Sequence, residues 1–437
     1  MAASLAFHIT FTDLYLKDLS VSLYSADLIQ LGPVVAAESV LHPTLEIFRE
    51  PNAPTGLTQT AATVDSVTVS WTAPATGAGT SYTVTVKEKD SATVKDTKSV
   101  TGTTATLNTL TAGTEYTVAV VSVIGVLNSG GRSSDPLTDN FYTKPNAPSN
   151  VEVTAVTVSS VTVTWTASST TGVSYTVTLK KDGTKVKTEP VVSGISKAID
   201  ELTAGTQYTV VVKAVIGEES SAGVDKSFYT KPNAPTDLTV TAATVNSLTV
   251  SWTVPATGAV TSYTVTVKEG TTTKDTKTGV TGTAATFDHL TAGKNYTVAV
   301  VSVIGVLHSG GQSSDPMSDN FYTIPNKPTD LAVSERTVSS LTVTWNAGAG
   351  EKSEFMIKLQ GGTEHTVAGG SKGTYKFDSL TAGKEFTVVV VTKNGGDQQS
   401  ESLNGTFRTR RWMTEMGVVG IRKVDDRDGC CEYKEGG

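Results

Sequence analysis

Apolar and polar positions alternate with a period of two through most of the chain. Val67, Val69 and Trp71 alternate with Ser66, Thr68 and Ser70, and Tyr82, Val84 and Val86 alternate with Thr83, Thr85 and Lys87. Each run predicts a strand with one face turned inward, because successive side chains on a strand point to opposite faces. Tyr116 to Ile124 is apolar on both phases and predicts a central strand. Turn signals separate the runs: Pro74 with Gly77 and Gly79, then Ala112-Gly113, then Gly130-Gly131. No helical period persists between them, which excludes a helical bundle. About seven short strands per ~90 residues with frequent turns predicts an antiparallel β-sandwich.

The pattern repeats. Pro51-Asn52-Ala53-Pro54 returns as Pro145-Asn146-Ala147-Pro148, Pro232-Asn233-Ala234-Pro235 and Pro325-Asn326-Lys327-Pro328, at offsets of 94, 87 and 93 residues. A tryptophan follows the first proline of each by 20 residues: Trp71, Trp165, Trp252 and Trp345. A third marker, Leu-Thr-Ala-Gly-x-x-(Tyr/Phe), gives Leu110/Tyr116, Leu202/Tyr208, Leu290/Tyr296 and Leu380/Phe386. The tryptophan-to-aromatic spacing varies, at 45, 43, 44 and 41, so length changes fall in loops between the markers. Period and markers together predict four domains, at 51–144, 145–231, 232–324 and 325–410. Tyr116 to Leu127 is identical to Tyr296 to Leu307 at an offset of 180, which points to duplication of a two-domain unit.

Composition agrees. The charged fraction is 18%, and Thr, Val, Ser and Gly fill the remainder, a bias that suits pleated surfaces and turns. A net charge of −7 over 437 residues argues against a nucleic-acid partner, which needs a basic patch. No run approaches the roughly eighteen apolar residues of a membrane-spanning helix. The only cysteines, Cys430 and Cys431, are adjacent and near the end, so the repeats hold no disulfide or cysteine-bound metal.

The proline near each start, the tryptophan and the Leu-x-x-Gly-x-x-Tyr marker together resemble the fibronectin type III module over about Pro51 to Arg410. The resemblance implies four tandem seven-stranded antiparallel β-sandwiches, an all-β, immunoglobulin-like class. It also implies a tyrosine corner, in which the ring packs inward and its hydroxyl ties back the preceding loop. Those roles fall to Leu110/Tyr116, Leu202/Tyr208 and Leu290/Tyr296. Phe386 lacks the hydroxyl, so the fourth corner is expected to pack but to lose a hydrogen bond worth roughly 0.5–1.5 kcal/mol. Tyr142-Thr143-Lys144-Pro145 and Tyr229-Thr230-Lys231-Pro232 are similar to the ectodomains of receptor-type protein tyrosine phosphatases built as strings of such modules. The catalytic signature of that family, a Cys five residues before an Arg, cannot be assembled from Cys430 and Cys431.

The ends follow no repeat. Residues 1–50 carry no marker until Phe48-Arg49-Glu50-Pro51 and stay unassigned, reading either as disordered or as the remnant of an earlier repeat, and Met1 to Phe7 lacks the basic start of a secretory signal. Residues 411–437 have mixed charge and no period and read as a disordered tail.

Candidate chemistry is sparse. His289 and His308 correspond to Thr109 and Asn128 in the first repeat, so both read as surface loop positions. The others, His8, His42 and His365, show no metal-ligand spacing. No nucleophile elbow, phosphate loop or dinucleotide fingerprint occurs, and no Arg-Gly-Asp. The reading is of a non-enzyme with no cofactor, no catalytic residue and no metal. Two N-glycosylation sequons stand at Asn295-Tyr296-Thr297 and Asn404-Gly405-Thr406, and alternation turns both asparagines outward. The expected function is an extracellular array, secreted or on a cell surface, that acts as spacer and as protein-binding or adhesion surface. The alternative is an ectodomain piece of a receptor-type tyrosine phosphatase; a third reading is an accessory array of a secreted carbohydrate-active enzyme. The expected partners are other proteins of the cell surface or matrix. With short, Pro-bounded linkers and modules of roughly 30 Å, four would span on the order of 120 Å as a semi-rigid rod.

Overall fold

The structure is a computed structural model that describes residues 50–125, 131–307, 310–414, 421–425 and 433–435. His8, His42, His308, Cys430, Cys431 and the reading of residues 1–49 lie outside the described residues.

The first sandwich is built from β1 (Thr55–Ala62), β2 (Val67–Thr72), β3 (Ser81–Glu88), β4 (Val94–Val100), β5 (Thr104–Leu107), β6 (Glu115–Ile124), β7 (Arg132–Ser133) and β8 (Leu137–Tyr142). One sheet runs β1-β2-β5 and the other β4-β3-β6, with both β7 and β8 on the far side of β6. All pairs are antiparallel; β2 sets Val67 opposite Leu107, and β6 sets Tyr116 opposite Phe141. The last strand is thus divided, β7 being a two-residue piece too short to display a period.

The two-residue alternation becomes the two faces of each sheet. On β2 and β3, Val67, Val69, Val84 and Val86 are fully buried, and the serines and threonines between them are half-buried or exposed. β6 lies between β3 and β8, as its apolar run predicts; Tyr116, Val118 and Val120 are fully buried, and Val121 lies half-buried on the outer face. At about 25 cal/mol per Å², burial of these inner faces is the main favourable contribution to each sandwich.

The other three sandwiches repeat the plan, except that in the fourth the last strand, Leu403–Arg408, is not divided. Their three-stranded sheets centre on Val161–Thr166, Leu248–Thr253 and Leu341–Asn346, the strands that carry Trp165, Trp252 and Trp345. Each sandwich has its own cluster of buried side chains around its tryptophan. In the fourth, Phe386 and Leu380 are only half-buried, whereas Tyr116, Tyr208 and Tyr296 are buried.

Within 411–437, where the sequence predicts no regular structure, Arg411–Thr414, Ile421–Asp425 and Tyr433–Glu435 pair as a three-stranded antiparallel sheet. Strands of three to five residues are too short to reveal themselves by alternation.

Candidate interaction surface and the joins between modules

Each tryptophan packs on the aromatic residue that stands second in the next strand. The ring centroids lie 5.3 Å apart for Trp71–Tyr82 and Trp165–Tyr175, 5.2 Å for Trp252–Tyr263 and 5.6 Å for Trp345–Phe355. Among the described residues, the indole N–H of all four makes no well-formed hydrogen bond, so these side chains act chiefly by packing.

The corner of each module is closed twice. Thr111 N donates to the Tyr116 hydroxyl at 2.8 Å, Thr203 N to Tyr208 at 3.1 Å and Thr291 N to Tyr296 at 2.8 Å. The second closure comes from the threonine of the terminal Tyr-Thr, which sequence reasoning noted without a role. Thr143 Oγ1 donates to Thr111 O at 2.6 Å and accepts from Thr114 N at 3.0 Å. Thr230 and Thr323 make the same pair of bonds in the next two modules. In the fourth, Thr409 donates to Thr381 O at 2.6 Å and accepts from Lys384 N at 3.2 Å. The fourth corner therefore stays tied although Phe386 has no hydroxyl. These four threonines are at most 2% exposed.

The asparagine of Pro-Asn-x-Pro also has a structural task. Both prolines of each motif are buried, and between them Asn52 donates to Thr76 O, Asn146 to Ser169 Oγ, Asn233 to Thr257 O and Asn326 to Ala349 O, all at 2.8–3.0 Å. Each asparagine so pins the loop that follows the tryptophan strand. In the second, third and fourth modules that loop meets the Leu-Thr-Ala-Gly corner of the module before. Gly113 faces Thr170, Gly205 faces Ala259 and Gly293 faces Glu351, each so closely that a Cβ would overlap its neighbour.

A second contact completes every join. The tyrosine ending one module lies on a glycine just past the long central strand of the next: Tyr142 on Gly217, Tyr229 on Gly305 and Tyr322 on Gly396. A Cβ on Gly217 would fall 2.7 Å from the Tyr142 ring, and one on Gly305 would fall 3.0 Å from the Tyr229 ring. Gly217 and Gly305 also have positive φ, at 53° and 68°, which other residues adopt only with strain.

Charges differ among the joins. Gln59 donates to Glu219 between the first and second modules, and Lys231 lies 3.4 Å from Asp315 between the second and third. Lys294 bridges the third and fourth, 2.5 Å from Glu269 in its own module and 2.8 Å from Glu351 in the next. Hydrogen bonds to Glu269 first and Glu351 second hold the Lys294 ammonium well above the ordinary lysine range. Thr114 and Thr206 occupy the equivalent positions, so this pair is particular to one join.

Asn295 and Asn404 are both exposed, on the strands Asn295–Ile304 and Leu403–Arg408. Asn295 stands opposite Tyr322 beside the last join. In the first module the same place holds Glu115, whose carboxylate accepts from Tyr142 and pairs with Lys89 at 2.9 Å. His289 is exposed, and His365 stacks half-buried on Tyr375 at 4.9 Å. Arg132 lies 3.4 Å from Glu50. Among the described residues, no group of three or more His, Cys, Asp or Glu is placed to hold a metal, and no helix is long and apolar enough to cross a membrane.

Comparison with known proteins agrees with this geometry. The chain is 29% identical over 345 residues to receptor-type tyrosine-protein phosphatase eta of Gallus gallus, covering 76% of this chain and 24% of that protein. It is 26% identical over 313 residues to tenascin-R of Gallus gallus, covering 69% and 22%. Chitinase A1 of Niallia circulans is 37% identical over 171 residues, covering 38% and 23%. The chain thus spans less than a quarter of the length of each of these relatives. The Fibronectin type III domain family matches residues 52–140, 146–226, 233–319 and 326–408, one match on each tryptophan-centred sandwich, and the chain belongs to that family.

Proposed function

We propose that residues 51–410 form an extracellular, non-enzymatic array that spaces and presents protein-binding surfaces, with modules at 51–144, 145–231, 232–324 and 325–410. The observation that carries this reading is the join itself: the same tyrosine-on-glycine and corner-on-loop contacts recur three times. A device that fixes each module on the next suits a spacer, in which reach matters and active-site geometry does not. The likeness to tenascin-R and to a receptor-type phosphatase supports a partner that is itself a protein of the matrix or cell surface. Small-angle scattering of residues 51–410 tests the spacer: a largest dimension on the order of 120 Å is expected, and one near that of a single module pair refutes it. Glycans on Asn295 and Asn404 after expression through a eukaryotic secretory route, read as a mass shift removed by endoglycosidase, would accord with the extracellular location. Exposed sequons that stay unmodified would count against it.

The second reading, an ectodomain segment of a receptor-type tyrosine phosphatase, is favoured by the 29% identity over 345 residues to the eta phosphatase. A longer transcript that encodes a membrane span and a His-Cys catalytic domain downstream would decide for it.

A further inference from the structure

The join between the third and fourth modules is stitched by side-chain amides. Asn394 begins the run Asn394-Gly395-Gly396 and stands where the other three modules carry Ile124, Ile216 and Ile304. It is 1% exposed. Its Nδ2 donates across the join to Thr323 O at 3.0 Å, and its Oδ1 accepts from Gly396 N and Gln398 N, both at 3.0 Å. The Gln398 amide lies 3.2 Å from Thr323 O and 3.0 Å from Tyr322 O in the orientation in which its NH2 group donates. Tyr322 occupies the space over Gly396 that a side chain would need, and its hydroxyl lies 3.3 Å from where a Cβ on Gly395 would stand.

An asparagine followed by glycine is chemically labile, because no side chain hinders attack by the next backbone nitrogen. In that step Gly395 N bonds to Asn394 Cγ, the Cγ–Nδ2 bond breaks, and Nδ2 departs as ammonia with the proton from Gly395 N. Water then opens the cyclic imide at either carbonyl and leaves aspartate or isoaspartate at 394, with no change of oxidation state. We propose that Asn394 is a modification site of this kind, a one-way latch whose hydrolysis loosens the join between the third module and the fourth.

With the join closed, burial and three hydrogen bonds fix the carboxamide and exclude water. With it open, the group is free to cyclise. Afterwards a carboxylate oxygen faces Thr323 O with no proton to donate, and in the isoaspartate product an added backbone carbon displaces Gly396 from Tyr322. The latch cannot close again as before, so time spent open is recorded covalently.

Peptide mapping by mass spectrometry of the full chain, aged in mildly alkaline buffer, provides the first test. In unglycosylated protein from a bacterial host, Asn404-Gly405, the same dipeptide on the strand Leu403–Arg408, is the internal reference. Tyr322→Ala is expected to raise conversion at Asn394 several-fold relative to Asn404; an unchanged ratio overturns the proposal. The second test reads the join directly, because Glu351 N donates across it to Ala292 O at 2.9 Å. Asn394→Asp is expected to speed hydrogen exchange at the Glu351 amide by roughly three- to tenfold, the worth of one hydrogen bond. Gly395→Ala, which hinders cyclisation, keeps the Asn394 carboxamide and asks the Tyr322 hydroxyl to give by a few tenths of an ångström, is expected to suppress conversion and to change that exchange less than Asn394→Asp does. Equal Glu351 exchange in Asn394→Asp and wild type overturns the proposal.

Discussion

Replacing Trp252 by alanine should unfold one module and leave three standing. The indole is 4% exposed and lies edge-on to Tyr263 at 5.2 Å, within a cluster that includes Leu238, Leu248, Val250, Val265 and Phe287. Its N–H makes no well-formed hydrogen bond among the described residues, although the indole acts weakly on the Tyr263 hydroxyl, so the substitution deletes chiefly packing. Large-to-small changes of a buried tryptophan cost about 3–5 kcal/mol, against the roughly 5–15 kcal/mol that holds a typical domain together. For a domain of this size each kcal/mol moves the midpoint by about 4–8 °C, so the third transition should fall by at least ~12 °C. Differential scanning calorimetry of the full chain resolves the outcome. Trp252→Phe, which keeps a ring against Tyr263, should shift the same transition by less. The reasoning is refuted if all four transitions fall together by that amount, or if the third does not move.

The corner makes a graded prediction: Tyr296→Phe should cost the third module about 0.5–1.5 kcal/mol, while Thr409→Val, which removes two part-buried hydrogen bonds, to Thr381 O and from Lys384 N, should cost the fourth about 1–3 kcal/mol in urea titrations. Lys197 first, then Lys187, holds the Glu189 carboxyl below the usual range. That contribution is full above the ordinary glutamate pKa of about 4.3 and fades as pH falls through the lowered value. The second module should therefore weaken on acidification there, by at most ~1 kcal/mol, and Lys197→Met should flatten that part of the stability–pH curve. Purified residues 51–410 should not hydrolyse an aryl phosphate; turnover that tracks the folded protein would overturn the non-enzyme reading.

What could be read in advance was local. A two-residue period shows directly in Val67-Thr68-Val69-Ser70-Trp71, and the Leu-Thr-Ala-Gly marker sits a fixed distance from its aromatic. The threonine closures and asparagine pins were not legible, although the motifs holding them were. Thr143 meets Thr111 from 32 residues away and Asn52 meets Thr76 from 24, and a polar side chain carries no periodicity that names its acceptor. The joins were harder still, since a glycine such as Gly217 reads as a turn until Tyr142 of another module is found lying on it.

Each of the first three modules carries a plug at its end, the tyrosine with the corner glycine, and each of the last three a matching socket, the pinned loop with the glycine past the central strand; the fourth ends in Arg408 where the others have tyrosine. Such parts are interchangeable. A segment copied from one proline motif to the next arrives with both halves of a working connection, so the chain can lengthen or shorten by whole modules without any new interface being invented. The stretch that is identical in the first and third modules fits this compatibility, and details such as Lys294 and Asn394 distinguish one join from the next. Reach can then vary in steps of one module while the fold of every unit stays the same.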